Sequence, residues 1–134
     1  MSIQDQIKRF LSAGAFGVVG ASANRQKFGN RIVRCYLQSG KRAVPVNPNE
    51  AEIEGLACVK GVQDLPPEVE SISIITPPAV TEQIVPLAIA HGISNIWMQP
   101  GAESPAAVAL CRAKGVNVIA DGSCLLVVLG YHDH

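Results

Sequence analysis

Aromatic side chains are scarce in this chain, at 4% of 134 residues. The six are scattered singly, four of them in the basic first third of the chain, and they form no aromatic-rich RNA-binding motif. That argues against a nucleic-acid-binding surface built on stacked bases. No run of about 18 uncharged apolar residues occurs, so no membrane-spanning helix is expected. The opening "MSIQDQIKRFL" has no long apolar stretch of the signal-peptide kind. The four cysteines, Cys35, Cys58, Cys111 and Cys124, are far apart and include no CxxC, a poor spacing for zinc. A cytoplasmic protein with reduced thiols and no metal site is the expectation. There is no GxGxxG fingerprint and no GK[ST] of a Walker loop. There is no repeat and no low-complexity segment. Histidines number three, His91, His132 and His134, and none is placed to activate a serine or cysteine. No catalytic centre is therefore expected.

Apolar residues make up 48% of the chain, and its length suits one domain with a true hydrophobic core. Net charge is zero overall, yet residues 1–42 hold eight Lys/Arg and one Asp. Residues 43–134 hold three Lys/Arg and ten Asp/Glu. Arg25, Lys27, Arg31, Arg34, Lys41 and Arg42 form the basic share. It is either a field that attracts an anionic small ligand or a solvated helix face beside a loop.

Short apolar runs alternate with helical stretches of about ten residues, the pattern of a parallel sheet covered by helices on both faces. "IQDQIKRFL" reads as an amphipathic helix and "AFGVVGA" as a fully buried strand. A helix is expected over Asn30–Ser39, then a strand "RAVPV" in which Pro45 argues against a fully paired central position. A short strand at Leu56–Val59 and a helical turn in "VQDLPPEV" precede the strand "ESISIIT". The next helix spans Val80–Ala90, with Pro86 expected to kink it. "ISNIWMQ" reads as a strand, "SPAAVALCRAK" as a helix capped by Ser104, and "VNVIAD" as the last central strand. "CLLVVLGY" reads as an edge strand or an irregular tail.

In such sheets ligands bind beyond the carboxyl ends of the strands, at the point where strand order reverses. The polar motifs "GASANRQKFGN", "VNPN", "TPPAV", "MQPGAES" and "DGSC" each follow a strand directly. Gly20 permits a tight turn, Ser22 offers a hydroxyl, and Gly29 permits close approach at a helix start, where open N–H groups favour phosphate. Arg25, Lys27 or Arg31 could add charge there; a plain loop with a helix cap is the alternative. The second strand ends in Val46 and Asn47 rather than the acid that holds a ribose diol, which counts against NAD. Pro77 and Pro78 either wall a cleft or stiffen a turn. Glu103 suits a helix N-terminus better than catalysis. Trp97 and Met98 read as core.

Taken in order, "VVGASANRQKFGNRI", "VPVNPN", "ITPP", "IWMQPGAES" and "GSC" resemble the small CoA-binding-protein family over roughly residues 12 to 128. These are single-domain relatives of the N-terminal domain of the succinyl-CoA synthetase alpha subunit. The resemblance implies a Rossmann-type fold across the chain and coenzyme A, free or acylated, as ligand. It implies a phosphate-holding loop at Gly20, Ala21, Ser22, Asn24, Arg25 and Lys27, continuing through Phe28, Gly29 and Asn30 into the helix. It implies that Val46, Asn47 and Pro48 lie beside the nucleotide end, and Thr76, Pro77 and Pro78 along the cofactor. Gln99 and Gly101 fall where the synthetase has its glutamate–glycine turn, and Cys124 where it has the cysteine of an Asn-Cys-Pro turn. The first turn is less glycine-rich than the synthetase's. The synthetase's second domain, with its phosphorylated histidine, has no counterpart in these residues. Synthetase chemistry is therefore not expected. A homodimer stays open, as do two other roles. One is an NAD(P)- or acyl-CoA-dependent enzyme working with a partner subunit. The other is a regulatory module that has lost its ligand.

Overall fold

All five residues of the first strand, Ala15–Val19, are buried. A strand with no exposed face belongs in the middle of a sheet covered on both sides. The computed structural model, which describes residues 1–133, bears this out. In chain order the elements are α1 (Ile3–Leu11), β1 (Ala15–Val19), α2 (Phe28–Gln38), β2 (Ala43–Val46), β3 (Glu52–Ile53) and β4 (Leu56–Ala57). A 3-10 turn (Val62–Asp64) leads to β5 (Val69–Ile74), α3 (Pro78–Ala90), β6 (Asn95–Met98), α4 (Pro105–Ala113), β7 (Asn117–Ile119) and α5 (Leu125–Val128). Five strands form one parallel sheet in the order β2-β1-β5-β6-β7, and β3 and β4 form a separate antiparallel hairpin. The result is a single α/β domain with a Rossmann-like sheet, and its strand order reverses between β1 and β5.

Alternation along β1 divides the core. Ala15 and Val19 face a cluster with Ile72, Ile74, Ile96, Val85 and Ala88, beneath α3 and α4. Phe16 and Val18 face Phe10, Ile32, Tyr36, Trp97 and Leu125, beneath α1, α2 and α5. Phe16 stacks on Tyr36 with ring centroids 4.8 Å apart, and Phe10 meets Trp97 edge-on at 5.3 Å. The buried Tyr36 hydroxyl is bonded to Ser73 Oγ at 2.6 Å, which satisfies both polar groups inside this cluster.

Several sequence expectations change in detail. Pro45 does lie in a strand, but β2 is the sheet's edge, paired with β1 on one side. On its other side the Pro45 carbonyl accepts from the Val59 amide, so its missing N–H leaves no gap in the ladder. Helix α2 begins at Phe28 rather than Asn30. Helix α3 begins at Pro78, since proline at the first helical position has its φ preset and needs no donor. It continues through Pro86 as one element. Only Leu56–Ala57 of the expected Leu56–Val59 strand pairs in the hairpin, while Val59 bridges to Val46. "CLLVVLGY" is neither an edge strand nor an irregular tail at its start: Leu125–Val128 form a helical turn. Gln99 Oε1 takes the Leu125 amide at 3.0 Å, and the Val128 amide bonds to the Cys124 carbonyl at 3.0 Å, so the backbone closes on itself. No helix among the described residues is long and apolar enough to cross a membrane.

Candidate functional site

Beyond the carboxyl ends of β1, β2 and β5, the surface opens into a cleft with two lobes. The polar lobe, about 400 Å³, lies between the β1–α2 loop and the start of α2. Ser22, Lys27, Phe28, Gly29 and Ile75 line it. The apolar lobe, about 330 Å³, is walled by Val19, Val46 and Val62 on one side and by Val80, Ile84 and Leu87 of α3 on another. Pro48, Lys60, Gly61, Gln63 and Thr76 also line it. Gly20, Ala21 and Asn47 line both lobes, so the two adjoin.

The close approach of β1 and α2 dictates the glycines. A Cβ on Gly29 would lie 2.0 Å from the Gly20 carbonyl oxygen. Gly20 itself has a φ of 92°, and a Cβ there would meet the Ile75 carbonyl oxygen at 2.9 Å. Between these glycines the loop shapes itself. Ser22 Oγ accepts from the Asn24 amide at 3.1 Å, and Asn24 Oδ1 accepts from the Gln26 amide at 3.0 Å. Lys27 is the N-cap of α2 without a side-chain cap bond. The amides of Ser22, Ala23, Phe28 and Gly29 find no acceptor among the described residues. Open amides at a helix start, with a lysine beside them, suit an anion with several oxygens.

Asn47 ties the second strand end to the first. Its Nδ2 donates to the Ala21 carbonyl at 2.9 Å, and its Oδ1 accepts from the amides of Asn49 and Glu50. Among the described residues no carboxylate lines either lobe.

Other residues expected at the site stand outside the cleft lining. Arg25 is ion-paired with Glu54 of the hairpin turn at 2.6 Å. Asn30 is fully buried behind the loop, where its Nδ2 donates to the Ser22 carbonyl and to Glu54 Oε2 and its Oδ1 accepts from Arg34 Nε. Asn24 shapes the loop. Pro77 and Pro78 are exposed at the start of α3 and do not wall the cleft. Gln99 is fully buried with Nε2 unpartnered and Oε1 holding α5. Gly101 lies in an exposed turn with φ 95°, and its amide donates to Glu103 Oε1 at 2.7 Å, so Glu103 braces that turn. Cys124 is the N-cap of α5. His91 bonds through Nε2 to the Leu65 carbonyl at 2.8 Å, and His134 lies outside the described residues. Among the described residues no group of three or more His, Cys, Asp or Glu could hold a metal.

The basic excess of the first third is largely matched across the fold. Arg25 pairs with Glu54, Arg31 and Arg34 with Asp133, and Arg42 with Glu68. Lys41 sits over the Phe16 ring. Of the expected one-sided field only Lys27 lines the cleft, joined there by Lys60 from the later part of the chain, neither with an ion-pair partner among the described residues. Sequence reasoning missed Lys60 and the α3 wall. Val80, Ile84 and Leu87 recur at helical spacing, and that stripe was the available signal.

Burial sorts the thiols. Cys35 and Cys111 are fully buried, and burial, helped at Cys35 by the nearby Cys124, pushes each up to about 11. Thiolate is the reactive form. A timed reaction with a water-soluble disulfide reagent at neutral pH should modify the partly exposed Cys58 and Cys124 first. Cys35 and Cys111 should react only on the timescale of unfolding; four equally fast thiols would contradict this burial.

A family model described as a CoA binding domain matches residues 15–129. The chain is similar to the alpha subunit of acetate–CoA ligase [ADP-forming] II from Pyrococcus furiosus, with 29% identity over 75 residues. That match covers 55% of this chain and 16% of the ligase subunit, so this chain spans a small part of the curated relative's length. A conserved hypothetical protein from Pyrococcus furiosus superposes with a TM-score of 0.81 at 39% identity, covering 85% of this chain and 97% of that one. The dinucleotide-forming acetyl-coenzyme A synthetase 1 of Ca. Korarchaeum cryptofilum, in complex with phosphate and ADP, superposes with a TM-score of 0.73 at 26% identity, over 81% of this chain and 26% of that one. With a Rossmann-like sheet, a cleft at its switch point and a family match over most of its length, this chain belongs to the CoA-binding-domain family.

Proposed function

We propose that the protein binds coenzyme A or an acyl-CoA in the two-lobed cleft. The pyrophosphate sits in the polar lobe, on the open amides of the β1–α2 loop and the Lys27 ammonium. The adenosine end enters the apolar lobe, between the end of β2 and α3. The observation that carries this is two adjoining lobes with a cation and open amides but, among the described residues, no carboxylate in their lining. A dianionic pyrophosphate beside a carboxylate would be repelled; here it meets only donors. Asn47 supports coenzyme A over NAD, because its side chain is engaged by three backbone groups and no acid stands at the end of β2. Gly20, Ala21, Ser22, Lys27, Phe28 and Gly29 hold the phosphates, and Val46, Asn47, Pro48 and Thr76 border the nucleoside. Asn24, Arg25 and Asn30 keep the loop in shape from behind.

Calorimetric titration of the ligand-stripped protein with coenzyme A tests this. Saturable one-site binding is expected. Lys27→Gln should weaken it about five- to tenfold, the worth of one partly screened charge-assisted contact. Loss of the cation should also flatten the salt dependence of binding. No heat at two temperatures, with no rise in Tm at high cofactor concentration, would refute coenzyme A as the ligand. Unchanged affinity in the lysine variant would move the pyrophosphate away from this loop.

A further inference from the structure

We infer that Lys60 reads a phosphate monoester on the ribose of the bound nucleotide, and so selects coenzyme A over its dephospho form. This rests on the cofactor proposal above and adds to it a specificity-determining residue. Lys60 lines the apolar lobe and Lys27 the polar lobe, with Gly20, Ala21 and Asn47 between them lining both. The cleft thus carries one lysine in each of its lobes. A pyrophosphate engages only the Lys27 end. The second cation is matched when the ligand carries a second, separate anionic group at the nucleoside end.

The backbone on either side of Lys60 is held by hydrogen bonds, which limits the range of its ammonium. On one side, the Val59 amide donates to the Pro45 carbonyl at 3.0 Å, and the Asn47 amide donates to the Val59 carbonyl at 2.9 Å. On the other, the Gly61 amide donates to Asp64 Oδ2 at 3.2 Å. Asp64, the nearest carboxylate in sequence, accepts that bond and forms no ion pair with Lys60. The same backbone bonds anchor Lys60 to the end of β2, where dinucleotide sites place the group that inspects the ribose. A carboxylate there accepts hydrogen bonds from a free diol. A lysine, with three donors and no acceptor, suits a phosphorylated one.

The test compares four nucleotides on three proteins. Wild type should bind coenzyme A about five- to tenfold more tightly than dephospho-coenzyme A, since the ammonium is exposed and its contact partly screened. Lys60→Gln should abolish that preference by weakening coenzyme A alone, and Lys60→Arg should restore most of it. The preference should shrink as salt rises. NADP and NAD, measured in parallel, separate a 3′-phosphate from a 2′-phosphate: a larger gain for NADP over NAD would assign Lys60 to the 2′ position and overturn selection for coenzyme A. Equal binding of coenzyme A and its dephospho form by wild type would sink the role of Lys60 while leaving the cofactor proposal standing. So would a glutamine variant that weakens both equally. Binding of neither would remove both.

Discussion

Gly29→Ala is expected to lower folding stability by about 3 kcal/mol, near the upper end of the usual overpacking range. It should also abolish measurable cofactor binding. The new methyl carbon would lie 2.0 Å from the Gly20 carbonyl oxygen, 3.0 Å from its carbon and 3.3 Å from Ala21 Cα. All three are backbone atoms, so no rotamer relieves the overlap. Gly20 cannot retreat either, because its own Cα faces the Ile75 carbonyl from the neighbouring strand end. The end of β1 is wedged between α2 and the end of β5. The helix must move instead, and its movement spreads the amides of Phe28 and Gly29 that form the polar lobe. Urea denaturation should show a lower midpoint at unchanged slope, with a fall of roughly 10 °C in Tm. Gly14→Ala is the control. A Cβ at Gly14 meets nothing within 4 Å, and its φ is not in the left-handed region. That variant should lie within about 0.5 kcal/mol of wild type. A Gly29→Ala protein as stable as the control would show that α2 does not need this close approach.

Much of this architecture is legible in the sequence, for identifiable reasons. A buried parallel strand such as Ala15–Val19 is an unbroken apolar run, and a helix such as Pro105–Ala113 carries its cap and its first-turn proline in view. The loops that gather at the cleft each follow such a strand, so the end of the sheet on which Gly20, Val46–Pro48 and Thr76 meet can be foreseen. What could not be read depends on partners distant in sequence. Arg25 looks like a phosphate ligand until Glu54, 29 residues on, is seen against it. Glu54 and Gly55 form the two-residue turn of the β3–β4 hairpin with φ of 50° and 78°. That turn is hard to foresee because glutamate is far rarer than asparagine or aspartate in that conformation. Lys60 is an ordinary surface lysine until the fold places it in the apolar lobe. The run "LLVV" is too short for a period of two to be told from one of 3.6, and an acceptor on Gln99, 26 residues earlier, helps start the helix.

Asn30→Leu is the second substitution with a large expected effect, because Asn30 joins three segments through one buried amide. Its Nδ2 donates to the Ser22 carbonyl at 2.9 Å and to Glu54 Oε2 at 3.2 Å, and its Oδ1 accepts from Arg34 Nε at 2.7 Å. Arg34 is 8% exposed and carries the connection onward to the Arg25 carbonyl at 2.7 Å and to Asp133 at 2.9 Å. The β1–α2 loop, the hairpin turn and the C-terminal segment are thus held to α2 through this pair. Leucine keeps the branching of the side chain, though it is bulkier, and removes all three Asn30 bonds. It strands a buried guanidinium donor and an oxygen of a carboxylate. Buried groups left unsatisfied in this way cost about 1–3 kcal/mol each, and the total expected here is about 3 kcal/mol. Amide hydrogen exchange should quicken in residues 22–27 more than in the central strands, and affinity for coenzyme A should fall with the loss of loop order. Glu54→Gly separates the contributions. It removes the bonds to Asn30 and Arg25 but also relieves a left-handed backbone that costs a non-glycine residue roughly 1–2 kcal/mol. Its net cost should therefore stay near 1 kcal/mol or below. If Glu54→Gly loosened the loop as much as Asn30→Leu does, the hairpin rather than the asparagine would be what holds the β1–α2 loop in place.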